Sequence, residues 1–259
     1  NRRCCATNTS TLAINSTLVA WGSLDNILDP AGGEVGETQD GTRVERGAYD
    51  TGMNWLPSLN AHDVAADAGH LADALRDHGA CWIADWPPPA FRDALRDDLR
   101  RLQADDGLAP AAVGRAEGRA RREDIRADST CWLDDPRCGE PARRFLDDLA
   151  EVRTQLNRRL FLGLRSVEAH YAAYPPGGGY ARHRDRFRDS DARRVSWVTY
   201  LNADWGEEDG GALRLWREDG AIVELPPVGG SVCFLSELEH EVLPARRERL
   251  SIAGWMRRD

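Results

Sequence analysis

The sequence contains no lysine; all 34 of its basic residues are arginine. Without a lysine amine the chain can form no Schiff base to a carbonyl or to pyridoxal phosphate, and it can build no Walker-type phosphate loop, so those mechanisms are excluded. Cysteine is sparse and unpatterned. The six (positions 4, 5, 81, 131, 138 and 233) include no CxxC pair, which fits a reduced, cytoplasmic protein with Cys81 and Cys233 as small core residues of strands. Positive charge is outweighed: 43 acidic residues leave a net charge of −9, so neither nucleic acid nor an anionic membrane is an expected partner. No apolar run is long enough to span a bilayer, and the first residues lack the clean hydrophobic stretch of a signal peptide.

What is present divides unevenly. Residues 1–60 hold six of the eight asparagines and seven of the ten threonines, with no sustained apolar period. That composition predicts a disordered or accessory extension, with a partner-binding arm as the alternative. Residues 61–259 predict one folded domain, with helical support over 61–165 and a β core over 166–259. A helix opening at His62-Asp63 runs to His78 and stops at Gly79. Ala80–Trp86 is an apolar strand, and Pro87-Pro-Pro leads into a helix over 90–104, where Phe91, Leu95, Leu99 and Leu102 form one stripe. A second long helix covers 140–162. Between these two helices, 107–122 is an Arg- and Gly-rich stretch without apolar periodicity, too long for a simple connector. From 167 the period drops to two, in eight short strands separated by Gly, Pro and Asp turns. Helices followed by a run of antiparallel strands predict a mainly β fold: a double-stranded β-helix, or jelly roll, buttressed by N-terminal helices.

The chemistry concentrates in Tyr174-Pro-Pro-Gly-Gly-Gly-Tyr-Ala-Arg-His183-Arg-Asp185, answered by Glu239-His240-Glu-Val and Arg249-Leu-Ser251. Residues two apart on a strand share a face, so His183 and Asp185 point the same way. Two imidazoles and one carboxylate with open positions beyond them form the ligand set of a non-haem Fe(II) site. Taken alone, a His-x-Asp in so Asp-rich a chain reads more readily as a sheet histidine and a turn aspartate. The hairpin arithmetic adds to the metal reading. With a loop at 244–247, Val242 opposes Arg249 and His240 opposes Ser251, which makes His240 and Arg249 diagonal neighbours about 7–8 Å apart on one face. An arginine there suits a carboxylate, which its planar fork grips with two charge-assisted hydrogen bonds.

In order along the chain come Glu123-Asp124-Ile125-Arg126-Ala127-Asp128-Ser-Thr-Cys-Trp132, the Tyr174–Tyr180 loop, His183-Arg-Asp185, Thr199-Tyr200-Leu201-Asn202-Ala-Asp204-Trp205, Gly210-Gly211-Ala-Leu213-Arg214, His240-Glu-Val and Arg249 through Trp255. Over roughly residues 63–259 this set resembles the 2-oxoglutarate (2OG)-dependent hypoxia-inducible-factor prolyl hydroxylases and their bacterial relatives. The resemblance implies Fe(II) held by His183, Asp185 and His240, which are the catalytic residues, and 2OG held by Arg249, Tyr200 and Ser251. It implies O2 as second cosubstrate, with ascorbate as a supporting reductant, and a prolyl residue hydroxylated while 2OG becomes succinate and CO2. Residues matching Arg126, Asp128, Trp132, Tyr174, Arg193 and Trp255 border the substrate groove. The implied partner is a protein with a flexible proline-containing loop, elongation factor Tu being the candidate, and the chain is expected to act as a monomer. Two departures touch the substrate entrance. The 174–180 loop is one residue shorter than the family form, and Arg186-Phe-Arg-Asp-Ser-Asp-Ala replaces the family's Asn-Pro-x-Gly turn. Two rivals stand beside this reading: an oxygenase of a free amino acid, and a jelly-roll sensor that binds metal and 2OG without turnover.

Overall fold

The computed structural model describes residues 55–65, 68–111, 125–186 and 190–259. The extension expected over 1–60, apart from its last six residues, lies outside the described residues. So do most of the 107–122 stretch, the acidic pair 123–124 and part of the turn after Asp185.

Among the described residues, four helices lie ahead of residue 166. α1 (Ala61–Ala65) and α2 (Gly69–His78) stand where one helix was expected, with Ala68 departing from helical ψ between them. Gly79 ends α2 in the left-handed region, its N–H bonded to Leu75 O. α3 (Pro89–Ala104) and α4 (Glu140–Leu160) each bury one stripe, Leu95, Leu99 and Leu102 on the first, Phe145, Leu149, Val152 and Leu156 on the second. Apolar residues at this spacing face one way, which is why both helices lie on a sheet rather than in solvent.

That sheet has eight strands in the order β1 (Ser58–Asn60), β2 (Ala80–Ala84), β10 (Gly230–Leu235), β7 (Arg193–Tyr200), β12 (Arg249–Arg257), β5 (Ser166–Tyr174), β4 (Ser129–Trp132) and β3 (Ala109–Pro110). A second sheet of four strands runs β6 (Tyr180–His183), β11 (Glu239–Val242), β8 (Leu213–Trp216), β9 (Ile222–Leu225). The period of two sorts the side chains of the large sheet. Val195 and Trp197, Leu250, Ile252 and Met256, and Tyr171 and Ala173 join the helices in one core. Their alternates face the small sheet, where Tyr200, Val232 and Phe234 pack with Leu213, Leu215, Val223 and Leu225. The expected jelly roll on a helical buttress is therefore present.

Two expectations change. Leu56 is buried and Ser58–Asn60 pairs in parallel with β2, so the folded domain begins ahead of residue 61. Polar residues 54 and 60 around a short apolar stretch hid an edge strand. The β11–β12 hairpin does not form either. β11 pairs with β6 and β8, whereas β12 pairs with β5 and β7. In a jelly roll, successive strands cross between sheets, and a short loop does not imply pairing.

Candidate active site

His183 ends β6 and His240 sits in β11, directly opposite it in the ladder. Asp185 lies in a bend just past the end of β6 rather than on the strand. It nevertheless turns back: its Oδ1 is 3.6 Å from His183 Nε2 and its Oδ2 3.5 Å from His240 Nε2. Ligand atoms of the three residues all lie within 4.8 Å of one another, a spacing that can hold a metal ion. Each imidazole donates its Nδ1–H to a backbone carbonyl two residues earlier, His183 to Ala181 O (2.7 Å) and His240 to Leu238 O (3.0 Å). A carbonyl can only accept, so each Nε2 carries its lone pair toward the centre. Burial pushes the His240 pKa down to about 4, which keeps that ring neutral near pH 7. Burial works the other way on Asp185, but the charge that His240 and His183 carry when protonated, with the Arg193 charge nearby, outweighs it and holds the carboxyl well below the usual range. An ionised carboxylate beside a neutral imidazole is the protonation pattern that divalent cations require.

The same cavity reaches into the large sheet, where Ala172, Tyr174, Arg249, Ser251, Ala253 and Trp255 line it. Arg249 is 1% exposed. It stands opposite Tyr174 on β5, and Ser251 stands opposite Tyr200 on β7. The guanidinium carbon lies 5.2 Å from the Tyr174 ring centre and 5.4 Å from that of Tyr200. Its Nε donates to Gly211 O (2.9 Å) and its Nη1 to Ser251 Oγ (3.0 Å). Gly211 is required here: at φ +73°, a Cβ would come within 2.8 Å of Ala245 Cβ and 3.3 Å of Arg249 Cδ. Arg249 Nη2 and the Tyr200 hydroxyl are buried without any hydrogen-bond partner. Burial raises the Tyr200 pKa, so the group remains a hydroxyl. An unpaired guanidinium nitrogen and a phenol buried side by side carry a desolvation cost that a carboxylate would remove. The residues thus fit a ligand with a carboxylate at this end and metal-binding atoms at the other. His240 and Arg249 do share a cavity, but they face each other across the two sheets.

The other expected residues form the rim. Arg126 lines the cavity, its guanidinium 5.0 Å from the Tyr180 ring, which stacks on His183 at 3.7 Å. Asp128 is buried, with both carboxylate oxygens on Arg126 (2.6 and 2.8 Å), so it holds that arginine and does not line the cavity. Trp255 lines the cavity beneath Arg193, whose guanidinium sits 3.6 Å above the ring. Trp132 is 40% exposed and opens an adjacent groove of about 480 Å³ with Asp134, Leu146, Val167 and Glu168. Sequence reasoning missed His170. It is buried, donates from Nδ1 to Tyr171 O (3.0 Å), and accepts at Nε2 from Arg126 Nη2 (3.2 Å) between the Trp132 and Trp255 rings. No motif marks it, because its partners come from three separate strands and loops.

Two imidazoles and a carboxylate at the mouth of a jelly roll, with a buried arginine behind them, define the class of facial-triad metal oxygenases that take a dicarboxylate cosubstrate. Residues 169–257 match the family model for the 2OG-Fe(II) oxygenase superfamily. A crystal structure of a Pseudomonas putida prolyl-4-hydroxylase is 44% identical, with a TM-score of 0.67, over 73% of this chain and 98% of that one. A Trichoplax adhaerens prolyl hydroxylase, solved with a hypoxia-inducible-factor oxygen-degradation-domain peptide, is 26% identical with a TM-score of 0.63, over 72% and 86% of the two chains. Egl nine homolog 1 of Homo sapiens is 27% identical over 196 residues, 72% of this chain and 45% of that protein. The chain spans about half the length of the curated relatives it matches. The chain belongs to the 2OG-Fe(II) oxygenase superfamily, on its prolyl-hydroxylase-like side.

Proposed function

We propose that this protein hydroxylates a prolyl residue of a protein substrate, coupled to conversion of 2OG to succinate and CO2. The observation that carries the proposal is an unpartnered buried nitrogen, Arg249 Nη2, in the cavity that the His183, Asp185 and His240 triad opens on, with the unpartnered Tyr200 hydroxyl buried behind it. In this reading the triad holds Fe(II), and Arg249, Tyr200 and Ser251 hold the far carboxylate of 2OG. When bound, iron with 2OG supplies the chemistry that splits O2, one oxygen atom ending in succinate and the other in the hydroxylated product. The chain's own residues bind and orient. Arg249 grips the carboxylate in a site closed to water, where a charged hydrogen bond is strong. The aromatic rim of Trp255, Tyr180 and Trp132 offers apolar faces to a pyrrolidine ring, and Arg126 and Arg193 offer donors to the peptide carbonyls on either side of it.

Two features favour a protein substrate over a free amino acid. The rim continues past Trp132 into an open groove, and a relative 26% identical was solved with a peptide. Elongation factor Tu remains the candidate, with ascorbate as reductant. Purified elongation factor Tu should gain one oxygen on a prolyl residue only when enzyme, Fe(II), 2OG and O2 are all present. Efficient hydroxylation of free proline, with no protein in a lysate modified, would favour the small-molecule rival. Binding of 2OG with no succinate under any condition would favour the sensor.

A further inference from the structure

The three metal-site residues are not equally well held. His183 and His240 are cross-strand partners in one ladder, and a backbone carbonyl fixes each ring. Asp185 lies outside the ladder, since β6 ends at His183. Its carboxylate is held instead by the other sheet. The Ser196 hydroxyl of β7 donates to Asp185 Oδ2 at 2.7 Å, with both groups buried. An ionised carboxylate can only accept, so the single hydroxyl proton of Ser196 is committed to it. The 2.9 Å contact between Ser196 Oγ and Ser236 Oγ must then run from Ser236 to Ser196. Ser236, just past β10, is anchored in turn, its N–H on Arg194 O (3.0 Å) and its carbonyl accepting from Arg186 N–H (2.9 Å). β7 and β10 are paired, Ser196 lying opposite Phe234.

We infer that Ser196, backed by Ser236, is the positioning residue of the metal carboxylate, and sets metal affinity by fixing the orientation of Asp185. The relay does for the carboxylate what Ala181 and Leu238 carbonyls do for the two imidazoles. It occupies Oδ2 from outside and leaves Oδ1, beside His183 Nε2, as the oxygen free of any hydroxyl donor. Groups that orient metal ligands from outside the coordination shell commonly change metal affinity by about 10–100-fold when removed. This inference rests on the triad being the metal site, and the test below separates the two.

The probe is Mn(II) alone, titrated into the metal-free 259-residue chain and followed by the electron paramagnetic resonance signal of free Mn(II). Ser196→Ala is expected to weaken binding by about 10–100-fold. Ser236→Ala, which leaves the Ser196 donor in place but unanchored, should weaken it by less. Ser196→Thr keeps a hydroxyl in a strand position and should restore most of the affinity. A further readout is the visible spectrum of the Co(II) form, which should shift in Ser196→Ala and not in distant serine variants. Should Ser196→Ala fail to fold, Ser236→Ala and Ser196→Thr carry the test. Unchanged Mn(II) affinity in Ser196→Ala and Ser236→Ala, alongside loss of binding in His183→Ala, would overturn the inference and leave the triad standing. Unchanged affinity in His183→Ala as well would overturn both.

Discussion

At the metal end of the cavity each side chain already has its outer partner: a carbonyl behind each imidazole, a serine behind the carboxylate. At the carboxylate end, Arg249 Nη2 and Tyr200 Oη have none. The first end is pre-organised before anything binds, and its cost is met by the fold itself. The second is destabilising to the empty fold and becomes favourable only when a ligand arrives. One end is therefore geometry held in reserve, the other an unmet demand for hydrogen bonds. The two should respond differently to mutation.

The largest effect should come from the metal end. Asp185→Ala or His183→Ala removes one of three ligands, and succinate formation should fall to background while circular dichroism shows an intact fold. Retained turnover in excess chelator would contradict this. Next is Arg249→Ala, which leaves a ligand carboxylate buried without its charged partner at a cost of about 2–5 kcal/mol. The 2OG KM should rise about 30-fold or more, with Mn(II) affinity unchanged; a parallel loss of metal would erase the distinction between the ends. Tyr200→Phe sharpens the contrast by giving effects of opposite sign. Losing one hydrogen bond to a carboxylate, about 1.5 kcal/mol, should raise the 2OG KM roughly tenfold. Removing an unpartnered buried hydroxyl should leave the melting temperature of the empty protein unchanged or higher. A lower melting temperature would mean that the hydroxyl has a partner in the empty state.

The smallest effect lies outside both ends, at His170. Burial and the Arg126 charge push its pKa down to about 4, below its ordinary value of about 6.5. Below pH 6.5 the unfolded chain takes up this proton and the folded one does not, so the histidine's contribution to stability is lost as pH falls from about 6.5 toward 4. At pH 5.5 the loss is about 1.2 kcal/mol relative to pH 7. His170→Met should flatten that part of the stability–pH curve without changing Mn(II) or 2OG affinity. An unaltered slope in chemical denaturation between pH 7 and 5.5 would show that the ring already titrates normally.

The legible and illegible parts of the sequence divide along the same physical line. Strands were legible because alternation is a local property: the eight expected from 167 onward are all present, the first opening at Ser166. His183, Asp185 and His240 were legible as a group because spacing, residue type and the ordered flanking motifs single them out together, and the structure brings their ligand atoms within 4.8 Å of one another. Pairing was not local. His240 and Arg249 were expected as diagonal neighbours on one face of a hairpin; that hairpin does not form, and they meet across the two sheets instead, because both residues face inward on their own strands. Asp185 was expected on a strand that ends two residues earlier, and its support comes from Ser196 and Ser236, 11 and 51 positions downstream. Serines carry no motif, and only the crossing of the chain between sheets brings them there. Asp128 was expected at the groove, but burial makes it a support for Arg126, a distinction that residue identity alone does not carry.

The division of the cavity between two sheets has a mechanical consequence. His183 and His240 belong to the small sheet, Arg249 and Tyr200 to the large one, and among the described residues the two layers share no strand ladder, being joined by side-chain packing, connecting loops and single hydrogen bonds such as Ser196 to Asp185 and Arg249 to Gly211 O. A ligand that touches both ends would act as a tie-bar between the two leaves. Opening one leaf would then require releasing the ligand, and its binding energy adds to the resistance. Amide hydrogen exchange should therefore slow together in β11 and β12, strands with no hydrogen bond between them, when metal and 2OG are both bound. With metal alone, only the small-sheet leaf should stiffen.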